Sequence, residues 1–198
     1  MTVQLRKIKI RVSVYFAAAV TFALIFVPDG NALLSLLCCM LHEAGHLAAI
    51  RLFGGKVRSI SFGAYGMRID ASHSLRISPL KEAVISLAGP TVNIILLIIG
   101  ILTKNSGLFR INLCLCVFNL LPVGMTDGQS ALKNVLSVIA DREKANAALK
   151  IISTAFLVVI YAVGLAVLIK TKYNFSLLAV AVYMTFISTT GNRREESI

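Results

Sequence analysis

Apolar residues run along this chain in long blocks, separated by short polar, basic or glycine- and proline-bearing segments. Six blocks stand out: Val12–Val27, Ala32–Phe53, Ala83–Thr103, Leu108–Leu121, Ile151–Ile169 and Phe175–Thr190. A helix needs about 20 mainly apolar residues to cross a bilayer, so the pattern predicts about six transmembrane helices. The fourth and sixth blocks are short for a full crossing. The fifth and sixth are joined only by "KTKYN", a tight hairpin. The first block follows Arg6, Lys7, Lys9 and Arg11 and resembles a signal peptide, but no small-residue cleavage pattern follows it. It reads as a retained span. The fold class expected is an all-α polytopic membrane protein, a single membrane-embedded domain over 1–198 without repeats or a separate soluble domain.

Two segments between the blocks have patterns of their own. In Gly54–Ser72, Val57, Ser59 and Phe62, then Ala64, Met67 and Ile69, form strand-like patches broken by Gly63 and Gly66. In Ala131–Lys150, the apolar residues Leu132, Val135, Leu136 and Ile139 recur at helical spacing. That predicts one amphipathic helix lying on the membrane surface.

Composition agrees with the pattern. Of 198 residues, 57% are hydrophobic and 15% charged, where soluble domains carry about a quarter charged. The formal charge of +11 raises the question of nucleic acid, but its distribution answers it. With the N-terminus placed inside, sixteen of the twenty Lys and Arg fall on the cytoplasmic side and four outside. This positive-inside bias predicts a multi-pass cell-membrane protein with both termini cytoplasmic and contact with anionic lipid. Nucleic-acid binding is not needed. The cysteines, Cys38, Cys39, Cys114 and Cys116, all fall within predicted spans, so no disulfide framework is indicated. Cys38 lies one helical turn before His42 and reads as small apolar filler.

Against this apolar background, three residues of "LHEAGHLAAI" are costly: His42, Glu43 and His46. An ionisable side chain inside a span costs several kcal/mol unless compensated, which makes it a functional candidate. Residues four apart project from one helix face, so the two imidazoles can hold one Zn²⁺ while Glu43 reaches a water beside it. A catalytic zinc takes three protein ligands and keeps a fourth position open. His73 is one candidate, but "DASHSLRISP" reads as a solvated loop. Asp127 is the better one. It follows "FNLLPVGMT", where Pro122 and Gly124 prevent a regular helix. Broken helix at membrane depth is tolerated only against protein or a watery cavity.

His42-Glu43-Ala44-Gly45-His46 in an early span, with Asn119-Leu120-Leu121-Pro122 and then Asp127-Gly128, resembles the site-2 proteases, a family of intramembrane zinc metalloproteases. "SLAGPTVN", Ser86–Asn93, is similar to the family's A-G-P-x-x-N signature. The resemblance covers about Ala32–Ser130, in the family's order and spacing. It implies one Zn²⁺ per chain held by His42, His46 and Asp127, with Glu43 as catalytic base and Asn119 lining the cleft and holding substrate backbone. It also implies a membrane-associated β-hairpin after the second span. Two departures stand out: Gly124, Met125 and Thr126 replace the proline and leucine that many members carry, and Gln129 replaces the second glycine of D-G-G. Neither removes a ligand. The chain has room for neither a PDZ insertion nor a cystathionine-β-synthase-like domain, and so resembles the compact branch that includes the sporulation sigma-factor processing protease.

The expected activity is a zinc metalloendopeptidase of intramembrane proteolysis. Its partner would be a membrane-tethered protein, such as the precursor of a transcription or sigma factor, whose fragment is released to the cytoplasm. Regulatory membrane proteins are possible further partners. Two other classes compete. A zinc or proton transporter would spread ionisable groups along the whole membrane depth, whereas here they gather toward one side. An inactive scaffold would be free to lose the glutamate or a ligand, and none is lost.

Overall fold

The computed structural model describes residues 2–5, 8–13, 21, 31–63, 66–73 and 77–195. The first expected span, Val12–Val27, lies almost wholly outside them. The chain forms two compact units, Met1–Cys116 and Val117–Ile198.

The first unit holds a four-stranded sheet and two long helices. The strands are β1 (Thr2–Leu5), β2 (Ile8–Val12), β3 (Gly55–Gly63) and β4 (Gly66–His73), in spatial order β1-β2-β3-β4. β1/β2 and β3/β4 pair antiparallel, while β2/β3 pair parallel. The register sorts residues by face, because alternate strand positions share one side of a sheet. Val3, Ile10, Ile60 and Ile69 are aligned across the four strands, as are Gln4, Lys9, Ser59 and Asp70. The aligned positions are thus apolar in one row and polar in the next. This corrects the reading of the basic N-terminal segment as a simple flank to a span: Lys9 and Arg11 alternate with Ile8, Ile10 and Val12, a strand period that the charge count passed over. It also corrects the loop expected around His73, which is the last residue of β4.

Helices dominate the rest, as the apolar runs predict. They are α1 (Asn31–Leu52), α2 (Pro79–Leu102), α3 (Ser106–Leu120), α4 (Asp127–Ile139), α5 (Arg142–Thr171) and α6 (Ser176–Glu195). Among the described residues, three are long and apolar enough to cross a membrane: α1, α2 and α5. Helix α3 and residues 176–186 of α6 are apolar but shorter. At 15 residues α3 is about 22 Å long, short of the roughly 30 Å hydrocarbon core. The fourth expected block is thus short of a full crossing, as its length in the sequence implies, and Pro122 and Gly124 lie just beyond its end.

The long helices are inverted relative to those of soluble proteins. α2 buries Ala83, Gly89, Pro90, Asn93 and Gly100 and exposes Val84, Ile94, Ile95, Ile98 and Ile99. α5 buries Ala145, Ser153 and Gly164 and exposes Ile151, Val158, Val159 and Ile169. Small and polar residues inside, with large aliphatics outside, is the packing of a membrane protein, where lipid takes the outer face and small residues let helices approach.

Glycines set these approaches. A Cβ on Gly45 of α1 would lie 2.7 Å from Val92 Cγ2 and 2.8 Å from the Ala88 carbonyl oxygen of α2. The α2–α3 turn closes through the N–H groups of Thr103 and Asn105, which donate to Ile99 and Gly100 at 2.9 Å each. Asn105 then caps α3, its Oδ1 accepting from the Leu108 N–H at 3.0 Å.

In the second unit, α5 and α6 meet where Gly164 faces Leu178, and the Tyr161 hydroxyl lies 3.1 Å from Thr185 Oγ1. The single amphipathic helix expected over Ala131–Lys150 is two helices. The backbone is extended at Ala140 and Asp141, where α4 ends and α5 begins. Its apolar stripe belongs to α4 alone, whereas Ala145 and Leu149 are buried as the first turns of α5.

The tight α2–α3 crossing yields a prediction. A Cβ on Gly100 would lie 2.7 Å from the Phe109 backbone nitrogen, which cannot yield as a side chain can. Gly100→Ala should therefore destabilise the protein by about 1–3 kcal/mol, the usual cost of overpacking. At Gly54 no described residue lies within 4 Å and its φ of +76° is what resists a side chain, so Gly54→Ala should cost less. Thermal unfolding of both variants in detergent checks the order.

Candidate metal centre

Helix α1 buries one residue every four: Cys38, His42, His46 and Ile50. A spacing of four keeps one face, so this stripe turns both imidazoles inward at 6% and 8% exposure. Glu43, one position on and about 100° around the helix, is half-buried.

Each imidazole is anchored through Nδ1. His46 Nδ1 lies 2.7 Å from the backbone carbonyl oxygen of Ile85, on α2. His42 Nδ1 contacts Oδ1 of Asn93, also on α2. Both partners are oxygens that only accept, so both rings carry their proton on Nδ1 and a lone pair on Nε2. The two Nε2 atoms face each other at 3.2 Å, with the rings edge to face and their centroids 4.9 Å apart. Two imidazole nitrogens at that distance can share a proton or be held by one metal ion. Outer partners that fix the Nδ1 side of a histidine are the usual company of a metal ligand.

Helix α2 leaves space at this point. A Cβ on Gly89 would lie 2.3 Å from His46 Nε2 and 2.6 Å from His42 Nε2. The volume beside the two nitrogens is thus one that a single methyl group would fill. Pro90 follows and lacks an N–H, so one bond of the α2 ladder is missing next to the imidazoles. The donors and the space suit a small cation.

The other expected site residues lie in the second unit. Asn119 is half-buried in the last turn of α3. The chain then breaks over 121–126, where Gly124 has φ +74° and Val123 is fully buried. Ser153 donates its hydroxyl proton to the Pro122 carbonyl, tying the break to α5. Thr126 caps α4, its Oγ1 accepting from the Gln129 N–H at 3.3 Å while its hydroxyl donates to the Leu121 carbonyl. Asp127 is the first residue of α4 and half-buried, at a helix end that favours a carboxylate. Gly128 is required there, because a Cβ would lie 2.2 Å from the Leu120 carbonyl oxygen.

Sequence reasoning assigned no role to two residues that the structure brings into this network. Asn93, inside the quoted "SLAGPTVN", and Asn112, in α3, are both fully buried. The signal was there: an amide inside an Ile/Leu-rich run carries the same desolvation cost that singled out His42.

No protein-family model matches the chain, and no curated protein matches it by sequence. Among solved structures, the chain is similar in fold to the site-2 protease from Methanocaldococcus jannaschii, with a TM-score of 0.64 and 21% sequence identity. The alignment covers 96% of this chain and 94% of that one.

The pair of imidazoles and the glycine opposite them give a test. Gly89→Ala would push a methyl group between the ring nitrogens and α2. Zinc measured by mass spectrometry on purified protein should fall to a small fraction of the wild-type content, with helicity unchanged by circular dichroism. Undiminished zinc in a folded Gly89→Ala protein would show that the ring nitrogens are not where metal binds.

Proposed function

We propose that the chain is an intramembrane zinc metalloprotease of the site-2 type, cutting a membrane-tethered protein in or near its transmembrane segment. The observation that carries this reading is the convergence of the His42 and His46 Nε2 atoms, each ring fixed through Nδ1, inside a membrane helix. Asp127 is the third ligand, completing two imidazoles and a carboxylate, a donor set suited to catalytic zinc. The fold likeness to a site-2 protease over nearly the whole chain supports it.

Zinc, when bound, supplies the Lewis acidity that makes water a competent nucleophile near neutral pH. Glu43 then takes the proton of the attacking water and passes it to the departing amine, acting as general base and then general acid. His42 and His46 do not exchange protons in these steps, because their Nδ1 protons are engaged by Asn93 and Ile85. Asn119 holds substrate backbone near the break after Leu120. Because a helical substrate hides its carbonyls, it must unwind before attack. Among the described residues β4 is an outer strand of the four-stranded sheet and so presents a strand edge to an extended substrate segment.

Both termini lie in the cytoplasm, since sixteen of twenty basic residues fall on the side of the N-terminus. The released fragment is therefore cytoplasmic, and a transcription or sigma factor precursor is the substrate class that such release serves.

Glu43→Gln should keep metal and fold yet lose hydrolysis by several orders of magnitude, because an amide cannot accept the proton. Comparing the membrane proteomes of cells with wild type and Glu43→Gln should reveal a substrate whose uncleaved form persists only in the variant. Cleavage at the wild-type rate by Glu43→Gln would overturn the mechanism. Asp127→Ala should instead lose both metal and activity, and full zinc retention would remove Asp127 from the ligands.

Orientation has its own test. In a cysteine-free background, single cysteines at Ser72 and Ser137 should resist a membrane-impermeant thiol reagent added to intact cells, and one at Asn105 should react. The opposite pattern would invert the topology and place the product outside.

A further inference from the structure

A line of side-chain hydrogen bonds leads away from His42 and does not stop at its first partner. Asn93 Nδ2 donates to Asn112 Oδ1 at 2.9 Å. Asn112 Nδ2 donates in turn to the Leu108 carbonyl at 2.9 Å and to Cys38 Sγ at 3.3 Å. Both amides are fully buried. The line starts on α1 at His42, crosses α2 at Asn93 and α3 at Asn112, and returns to α1 at Cys38, one turn before the histidine.

One group in this line has no choice of direction. A backbone carbonyl can only accept, so Leu108 requires the Nδ2 end of Asn112. The Oδ1 end of Asn112 is then left for Asn93, which must present its own Nδ2. Asn93 consequently turns Oδ1 to His42, which must carry its proton on Nδ1 and its lone pair on Nε2. We propose that Asn112 is a positioning residue that, through Asn93, holds the His42 imidazole in the one tautomer able to ligate metal through Nε2. Without Asn112, the Asn93 amide can rotate to present Nδ2, and His42 then protonates Nε2 and withdraws its lone pair from the site. The proposal rests on the reading of His42 as a ligand, but its main test needs neither metal nor hydrolysis.

The test uses full-length protein, stripped of metal and labelled with ¹⁵N-histidine in nanodiscs, with long-range proton–nitrogen correlation spectra to identify each tautomer. In wild type, both His42 and His46 should show the Nδ1–H form. In Asn112→Leu, His42 should shift substantially to Nε2–H, while His46, anchored on the Ile85 carbonyl, should not change. A general loosening of the fold would disturb both rings alike. Asn112→Asp, which keeps an acceptor toward Asn93, should restore the wild-type His42 signal. If His42 stays wholly Nδ1–H in Asn112→Leu, the proposal is overturned.

A second measurement does not depend on the folding of that single variant. Asn93→Leu should weaken zinc binding, read by chelator competition, about 10–100-fold, the usual cost of losing an outer partner. Asn93→Leu/Asn112→Leu removes both amides, so that neither is left without its amide partner, and it should bind zinc as Asn93→Leu does. A further loss in the double variant would show that Asn112 acts by another route, and would equally overturn the proposal. A wild type that binds no zinc yet shows the tautomer shift in Asn112→Leu would uphold the relay and sink the ligand assignment, so the two failures are distinct.

Discussion

Everything at the candidate centre depends on how closely α1 and α2 approach. Gly45 admits Ala88 and Val92 of α2 almost to backbone contact, and Gly89 admits the two imidazoles of α1. In lipid no hydrophobic force draws helices together, so close packing and interhelical hydrogen bonds must do it. Here the two reinforce one another. The glycine contact brings the Ile85 carbonyl and the Asn93 amide within reach of Nδ1 on His46 and His42. Those bonds in turn satisfy buried polar groups that would cost free energy if left unpaired. Any larger residue at position 45 or 89 would lose both effects together.

The same constraint explains why the polar network is continuous. A buried amide with one unsatisfied end costs about 1–3 kcal/mol, so each asparagine added to satisfy its neighbour needs a partner of its own. The line ends where it meets a group that is polar already, the Leu108 carbonyl, and a thiol that accepts weakly. Cys38 thus has a use beyond filling space. Its Sγ takes the second proton of Asn112 Nδ2, which a leucine or alanine could not do.

Much of this was legible in the sequence, for physical reasons that differ by element. The apolar runs located α1, α2, α5 and α6 to within a few residues, except the start of α5 at Arg142, because bilayer thickness sets a length that composition must meet. His42, Glu43 and His46 stood out because charge is costly where everything around is aliphatic, and Asp127 because it follows a helix broken by Pro122 and Gly124. Other features were hidden. In β2, Lys9 and Arg11 alternate with isoleucine, but their charge fitted a topology argument so well that the period of two was passed over. The extended backbone at Ala140–Asp141 divides a helix that the apolar spacing made continuous. Asn93 and Asn112 were hidden for a third reason: one amide in a hydrophobic run is tolerable, and only tertiary contact shows that two of them pair.

The two histidines are held by different kinds of acceptor, and that asymmetry has a consequence. His46 is anchored on a main-chain oxygen, Ile85 O, which is present whatever side chain stands at position 85. His42 is anchored on a side chain, Asn93, whose orientation is set by another side chain on a third helix. Substitution at Ile85 can therefore move the His46 ring only by shifting the backbone. At Asn93 or Asn112 it can change which nitrogen of His42 carries the proton with the backbone left in place. His46 is thus the fixed member of the pair and His42 the adjustable one. Sequence change around the centre can set the tautomer of a single ring without dismantling the α1–α2 contact that holds both.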